Sequence, residues 1–319
     1  MNQNLIKRPR RNRRTAALRT LFQEHTLLIK HFIMPLFVTK QRKPHDPLLP
    51  GLAHYTPESI LKKAEALHTK GIQAILLFPA NAPRDMFGKE ALNHNGIIPE
   101  TIRLLKKELP SLALFCDVAL DPYTTHGHDG VIDESGYVLN DATVDVLVKM
   151  SLVLAESGVD VIAPSDMMDG RVCAIRQTLD ARGFQDVGIL SYAAKYASSL
   201  YGPFRTAIGT RLAFGDKKSY QMDPANRIEA LKEALLDEEE GADALLVKPA
   251  GFYLDIISDL QKTIKLPIVA YQVSGEYAMI MAAAKYGYLS KQDAIIESLL
   301  SIKRAGASCI ISYAAEEII

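Results

Sequence analysis

Cysteine is scarce in this 319-residue chain. Cys116, Cys173 and Cys309 are odd in number, far apart and form no Cys-x-x-Cys, which argues against a disulfide scaffold and against a thiolate metal cluster. No apolar run reaches the roughly 18 residues of a membrane-crossing helix, and no signal-peptide core lies near the start. A reduced, cytoplasmic setting with no membrane partner is therefore expected. Net charge is also missing: 37 basic residues balance 37 acidic ones, so a whole-surface nucleic-acid binder is disfavoured. Neither a Gly-x-Gly-x-x-Gly nor a Walker motif is present. There is no internal repeat of fixed period.

The balance of charge hides an asymmetry. Residues 1–23 carry Lys7, Arg8, Arg10, Arg11, Arg13, Arg14 and Arg19 and no acid, and the first acid is Glu24. A basic arm thus precedes an acidic body. Three readings of it compete: a solvated tail, an RNA-binding or targeting segment, and an arm that docks on an acidic neighbouring subunit.

The body alternates strand and helix signals. Short apolar, β-rich runs fall at 32–38, 72–78, 112–118, 159–163, 187–192, 243–248, 267–273 and 308–313. They lack strict alternation, as parallel strands buried on both faces do. Helical patterns lie between them. One runs from Pro57 to Lys70, with Ile60, Leu61, Ala64 and Leu67 on one stripe. A second runs from Asp141 to Ser157 and ends at Gly158, a C′ glycine. A third is read from Asp223-Pro224 to Gly241, with Ile228, Leu231 and Leu235 as its apolar stripe. Eight strands alternating with helices imply a (β/α)8 barrel; a doubly wound sheet is the alternative.

In such a barrel the chemistry sits at the carboxyl ends of the strands. Those ends carry Asp117, Ser165 with Asp166, Lys195, Lys248, Tyr271 with Ser274, and Tyr313. A lone lysine there could be an ion-pair partner for Asp117. Two lysines suggest more, because a second cation lowers the pKa of the first toward neutrality. The product is a neutral amine able to form a Schiff base, with Tyr and Asp nearby to move protons. The segment 198–223 is long, irregular and basic, with Arg205, Arg211, Lys217 and Lys218, and reads as a lid suited to a carboxylate substrate. Ser274-Gly275-Glu276 opens a helix, where Ser274 could bind an anion or serve as an N-cap. His126-Gly127-His128-Asp129, after Asp121, looks like a metal cluster but fits a hydrogen-bonded turn better; its oxygen ligands would suit a hard cation more than zinc.

Four long segments together resemble the porphobilinogen synthase (5-aminolevulinate dehydratase) family. They are Asp117 to Gly130 (DVALDPYTTHGHDG), Ala163 to Arg171 (APSDMMDGR), Ser191 to Arg205 (SYAAKYASSLYGPFR) and Val247 to Ala250 (VKPA). Tyr271 to Tyr277 (YQVSGEY) and Ile311 to Glu316 (ISYAAE) extend the match over nearly the whole chain.

The resemblance implies a (β/α)8 barrel that condenses two 5-aminolevulinate molecules to porphobilinogen, an early step of tetrapyrrole synthesis. It implies Schiff bases at Lys248 for the first substrate and Lys195 for the second, with Asp117 between them and Tyr271 against the first imine. Ser274 and Tyr313 match groups that hold the first carboxylate, and Arg205, Lys217 and Gln221 match lid groups for the second; Phe204 and Ser165 complete the substrate-binding set. Lys217 stands where many members have Arg, exchanging a bidentate clamp for a point charge. Ala119, Asp121 and Asp129 stand where zinc-dependent members place cysteines, so no zinc is expected there. The variant resembles the aspartate-rich, magnesium-responsive bacterial branch, whose allosteric Mg2+ lies near a glutamate 15 residues before the Schiff-base lysine, here Glu233. Asp121 and Asp129 stay candidates for an active-site cation. Family members are homo-octamers whose N-terminal arms wrap neighbouring barrels, which favours the docking reading for residues 1–30. A class I aldolase and a non-enzymatic, basic-armed binding protein are the alternatives.

Overall fold

The computed structural model describes residues 6–41 and 49–318. Its strands are β1 Phe32–Val38, β2 His54–Tyr55, β3 Ala74–Pro79, β4 Ala113–Val118, β5 Val161–Pro164, β6 Gly188–Lys195, β7 Ala244–Lys248, β8 Ile268–Gln272 and β9 Cys309–Ser312. All pairings are parallel, in the order β2-β1-β3-β4-β5-β6-β7-β8-β9, and β9 pairs back onto β1. Eight strands therefore close the barrel, and the two-residue β2 hangs on the outside of β1. Each of the eight apolar runs read from the sequence overlaps one barrel strand, but β3, β5 and β6 run on past the predicted ends, β6 by three residues to Lys195. Closure leaves the barrel strands with no free edge, and side chains such as Leu76, Leu190, Leu246, Val269 and Ile311, on the strand face that carries Asp117, Lys248 and Tyr271, fill the interior.

Ten α-helices are present among the described residues: α1 Ala16–Leu21, α2 Pro57–Thr69, α3 Ile97–Glu108, α4 Asn140–Glu156, α5 Arg171–Ala181, α6 Gly202–Ile208, α7 Ile228–Glu239, α8 Leu254–Thr263, α9 Ser274–Lys285 and α10 Lys291–Ala305. Helix α2 starts where Thr56 and Ser59 cap reciprocally, and it buries Ile60, Ala64 and Leu67. Helix α4 ends at Gly158, whose φ of 96° is open to a residue without Cβ.

Three expectations fail in detail. Helix α7 does not begin at Asp223-Pro224, because the Asp223 carboxylate accepts the Ala225 N–H and closes a turn instead. Of its predicted apolar stripe only Leu231, half-buried, packs against the core. Ile228 and Leu235 are exposed, while Ala230, Ala234 and Asp237 are buried. Small residues let this helix lie close on β6, and Asp237 enters a buried network described below. The segment read as an irregular lid is partly helical: Pro203 near the helix start makes Gly202–Ile208 a short α6.

The N-terminal arm is built of a 3-10 turn, Pro9–Arg13, and α1. Residues 6–24 are exposed apart from half-buried Leu18, and the apolar Ile6, Leu21 and Phe22 point into solvent.

Candidate active site

The two lysines are register partners. Lys195 ends β6 and Lys248 ends β7, and their Cα atoms pair across the sheet. Neighbouring parallel strands lie about 4.8 Å apart with paired side chains on one face, so both ammonium groups share the barrel mouth. Asp117 on β4, Tyr271 on β8 and Ser165, one residue past β5, belong to the same buried ring. Asp117, Asp121, Ser165, Lys195, Phe204, Arg205, Lys217, Gln221 and Lys248 line one cavity.

The lysines differ in environment. The Lys248 Nζ faces aromatic rings on four sides: Tyr271 at 4.5 Å, Phe204 at 5.0 Å, Tyr192 at 5.2 Å and Tyr201 at 5.3 Å to the centroids. Burial, helped by the charge of Lys195, lowers its pKa from 10.5 to about 7, against the opposing pull of Asp117. Lys195 instead donates to the Ser165 carbonyl and to Asp129 Oδ2, the latter at 3.1 Å. Burial pushes Asp117 up to about 7 although both lysines pull it down, and its Oδ1 has no hydrogen-bond partner. A carboxyl and an amine that both titrate near neutrality lie together at the base of the cavity.

Asp121 and Asp129 are already engaged. Lys217 reaches in from the lid and donates to Asp129 Oδ1 and, at 3.2 Å, to Asp121 Oδ2. The Gln221 amide adds a bond to Asp129 at 3.3 Å. Burial works to raise the Asp129 carboxyl, but Lys195 and Lys217 outweigh it and hold it well below the usual carboxylate range. An ammonium thus occupies the space between the two carboxylates where an active-site cation was considered. His126 and His128 form the hydrogen-bonded turn: His128 contacts the Phe214 carbonyl and the Tyr220 hydroxyl, each at 3.2 Å, and so fastens the lid. Among the described residues, no group of three or more His, Cys, Asp or Glu side chains is arranged to hold a metal.

Opposite the lid, the Tyr271 and Tyr313 hydroxyls bond at 2.9 Å, and Tyr313 stacks on Phe37. Ser274 is not the N-cap of α9. It is the first helical residue after Val273, and its Oγ accepts the Phe204 N–H at 2.9 Å, docking α6 onto α9. Arg205 lines the cavity from α6, half-buried. Glu233 lies outside the barrel mouth on α7. It is half-buried, and burial together with Asp237, Asp169 and Glu229 raises its carboxyl, with Arg171 opposing.

Sequence reasoning missed the supporting structure. Arg171 is buried, donating to Ser191 Oγ at 3.0 Å and to both Asp237 oxygens at 3.4 Å, with Asp166 at 3.7 Å. It joins α7 to the strand that carries Lys195. Arg84 donates to the carbonyls of Ile208 and Gly209, and at 3.0 Å to that of Pro122, holding the end of α6 against the loop after β4. Glu276, third in α9, accepts the Val273 N–H at 2.7 Å. Only this last had a sequence signal, the third-position acid of a capping box.

A parallel barrel with paired lysines in its mouth, one of them titrating near neutrality, defines the class of barrel enzymes that capture carbonyl substrates as imines. Comparison with known proteins narrows the class. The profile of the delta-aminolevulinic acid dehydratase family matches residues 6–319. A chloroplastic delta-aminolevulinic acid dehydratase of Physcomitrium patens is 50% identical over 311 residues, 96% of this chain and 72% of that protein. The Chlamydia pneumoniae dehydratase is 49% identical over 315 residues, 98% of this chain and 95% of that one. The crystal structure of the Toxoplasma gondii enzyme in complex with its product porphobilinogen superposes with a TM-score of 0.95 at 47% identity, covering 98% of this chain and 91% of that one. The chain belongs to the delta-aminolevulinic acid dehydratase family and is a lyase.

Proposed function

We infer that the chain condenses two molecules of 5-aminolevulinate to porphobilinogen, with loss of two waters, through lysine Schiff bases. This is a porphobilinogen synthase activity, early in tetrapyrrole synthesis. Neither a class I aldolase nor a non-enzymatic binding protein is favoured. The observation that carries the mechanism is Lys248: an amine at about pKa 7, walled by four aromatic rings. Half of it is neutral at pH 7, and only the neutral amine attacks a ketone. The carbinolamine so formed loses water to give the imine. Asp117, also near pKa 7, is the group to move the proton. Loss of a proton beside the imine carbon gives an enamine, the carbon nucleophile. Lys195 takes the ketone of the second molecule. Its Nζ is paired with Asp129, and that contact must open for the attack.

Ser274 and Tyr313 are assigned to the first substrate's carboxylate, and Arg205, Lys217 and Gln221 to the second's. Phe204 and Ser165 line the cavity between them. Both molecules in one closed cavity avoid the entropy cost of a bimolecular encounter, and the lid excludes water that would hydrolyse the imines. Tyr271, with its ring nearest Lys248 and its hydroxyl on Tyr313, orients the imine.

For the cation, the donor sets point to Glu233 rather than the cavity. Asp121 and Asp129 already share the Lys217 ammonium. Glu233 sits with Asp169 and Glu229 at an open pocket, an excess of negative charge that a hydrated Mg2+ would relieve. Such an ion would neutralise charge on α7 and act allosterically. At the cysteine-type zinc positions this chain offers Ala119, Asp121 and Asp129, so no thiolate zinc site is assigned. The exposed basic arm with its bare Ile6, Leu21 and Phe22 supports docking on a neighbouring barrel, hence a homo-octamer, rather than binding to nucleic acid. Three free cysteines suit a reducing cytoplasm, and among the described residues no helix is long and apolar enough to cross a membrane.

The test is a borohydride trap with 5-aminolevulinate and peptide mapping. The expected result is a reduced adduct on Lys248, lost in Lys248→Ala, with a second on Lys195. Turnover to porphobilinogen without any lysine adduct would remove the imine mechanism.

A further inference from the structure

The loop after Lys248 and the helix start after Tyr271 are tied by one side chain. Glu276 is buried, at 5% exposure, in α9. Its Oε2 accepts the Val273 N–H at 2.7 Å, and the Ala250 N–H lies 3.4 Å from the same oxygen. Its Oε1 accepts the Gly251 N–H at 2.5 Å. Ala250 and Gly251 follow Lys248 by two and three residues, and Val273 immediately precedes Ser274.

A buried carboxylate is costly unless paired, and helix capping alone does not require one. Helix α10 is capped from an exposed position by Ser290, whose hydroxyl accepts the Asp293 N–H. For Glu276, burial raises the carboxyl to about 7, and only backbone N–H groups oppose it. The surroundings leave no slack. A Cβ added at Gly251 would meet Glu276 Oε1 at 2.5 Å, and one at Gly275 would run into the Leu200 carbonyl. From the other side, Tyr201 donates to the Lys248 carbonyl at 3.2 Å while its ring walls the Lys248 ammonium.

We propose that Glu276 is a positioning residue for the first substrate, setting the span between the imine-forming amine of Lys248 and the carboxylate-holding Ser274. The inference rests on the reading of Lys248 as the imine lysine. In a 4-oxo acid the ketone carbon and the carboxyl carbon are joined by two methylenes, so their separation is bounded by covalent geometry. Both protein anchors must match it, and a misplacement of about 1 Å can cost roughly 100-fold in rate.

The experiment uses the full-length enzyme and two ketones: 4-oxopentanoate, the substrate without its amine, and acetone, which has no carboxylate. Each is trapped on Lys248 with borohydride over a range of concentrations, and kcat and KM are measured alongside. In Glu276→Gln the amide presents a donor to a backbone donor, so one tie is lost at nearly constant size. The half-trapping concentration of 4-oxopentanoate is expected to rise about tenfold or more and KM with it, while acetone trapping stays within twofold. Gly251→Ala, which presses on the same tie from the other end, should give the same pattern and serves if Glu276→Gln does not fold. Ser290→Ala, a plain capping loss, should change neither ketone. Equal loss of both ketones, or no loss of 4-oxopentanoate, would reduce Glu276 to a structural cap. If the unaltered enzyme traps neither ketone on Lys248, the imine reading falls and this inference with it.

Discussion

Replacing Lys195 by Gln tests the electrostatics of the site without touching Lys248. The fall in the Lys248 pKa from 10.5 to about 7 corresponds to about 5 kcal/mol of discrimination against its charged form. Burial is the larger cause and the charge of Lys195 the next, with Asp117, Asp121 and Asp129 opposing. Removing the Lys195 charge leaves burial in place and frees the carboxylates to pull harder. The Lys248 midpoint should rise but stay well below 10.5. A first tenfold change in the equilibrium, about 1.4 kcal/mol, takes the neutral fraction at pH 7 from about one half to roughly one tenth.

The assay is the initial rate of 4-oxopentanoate trapping on Lys248 as a function of pH, since only the neutral amine reacts. The unaltered enzyme should show a midpoint near 7, and Lys195→Gln a higher one, with the rate at pH 9 recovering most of the loss. A midpoint that does not move would mean that the two ammonium groups do not interact. A midpoint at the value of a free lysine would mean that Lys195, and not burial, sets the pKa. Either result refutes the reasoning.

Four further outcomes follow. Lys248→Met should abolish turnover yet stabilise the fold at pH 7 by about 2–3 kcal/mol, after an offset for the counter-charge Asp117 loses; because the folded pKa is depressed, the cost of Lys248 grows as pH falls from about 10 to 7, so the gain in melting temperature should shrink above pH 9. Lys217→Ala leaves Asp129 paired with Lys195 alone and takes the ammonium from Asp121, and should cost about 3 kcal/mol of stability in denaturant melts and raise KM at least tenfold; an unchanged KM would remove Lys217 from the substrate set. Chelation of Mg2+ should lower the activity of the unaltered enzyme several-fold and leave Glu233→Gln, already reduced, unaffected; an equal response in both would clear Glu233 of a cation role. Deletion of residues 1–20 should break the proposed octamer, and an unchanged elution volume in size-exclusion chromatography would sink that reading.

The strands were legible because parallel barrel strands are buried on both faces and so appear as unbroken apolar runs. The lysines were legible because strand ends are where a barrel exposes chemistry. The rest was hidden for physical reasons. Helix α7 buries alanines because it packs close on β6, so the larger Ile228 and Leu235 are turned outward and a stripe drawn from size points to the wrong face. Arg171 closes one of the quoted segments and Asp237 drew no reading, yet each is buried because the other is there. A charge on a helix carries no sequence mark of its distant partner. Lys217 is similar: the lid's basic character was visible, but its insertion between Asp121 and Asp129 depends on the lid's path.

The contrast between the two lysines follows from what surrounds them, and on the proposed mechanism it orders their use. Both end adjacent strands in register, so the backbone treats them alike. Lys248 is ringed by Tyr192, Tyr201, Phe204 and Tyr271, a setting that disfavours its charge and offers no carboxylate hydrogen bond. Lys195 is held by Asp129, which is itself shared with the lid lysine. An amine that is half neutral in the resting site is ready for the first ketone. An amine locked to a carboxylate becomes available only when that carboxylate finds other partners or takes up a proton. The second substrate's carboxylate, drawing on Lys217 and Gln221, would compete for the very groups that hold Asp129. Drawing them away would leave Asp129 to Lys195 and tighten that pair, so on the proposed mechanism carboxylate binding does not free Lys195 and the first capture falls to Lys248.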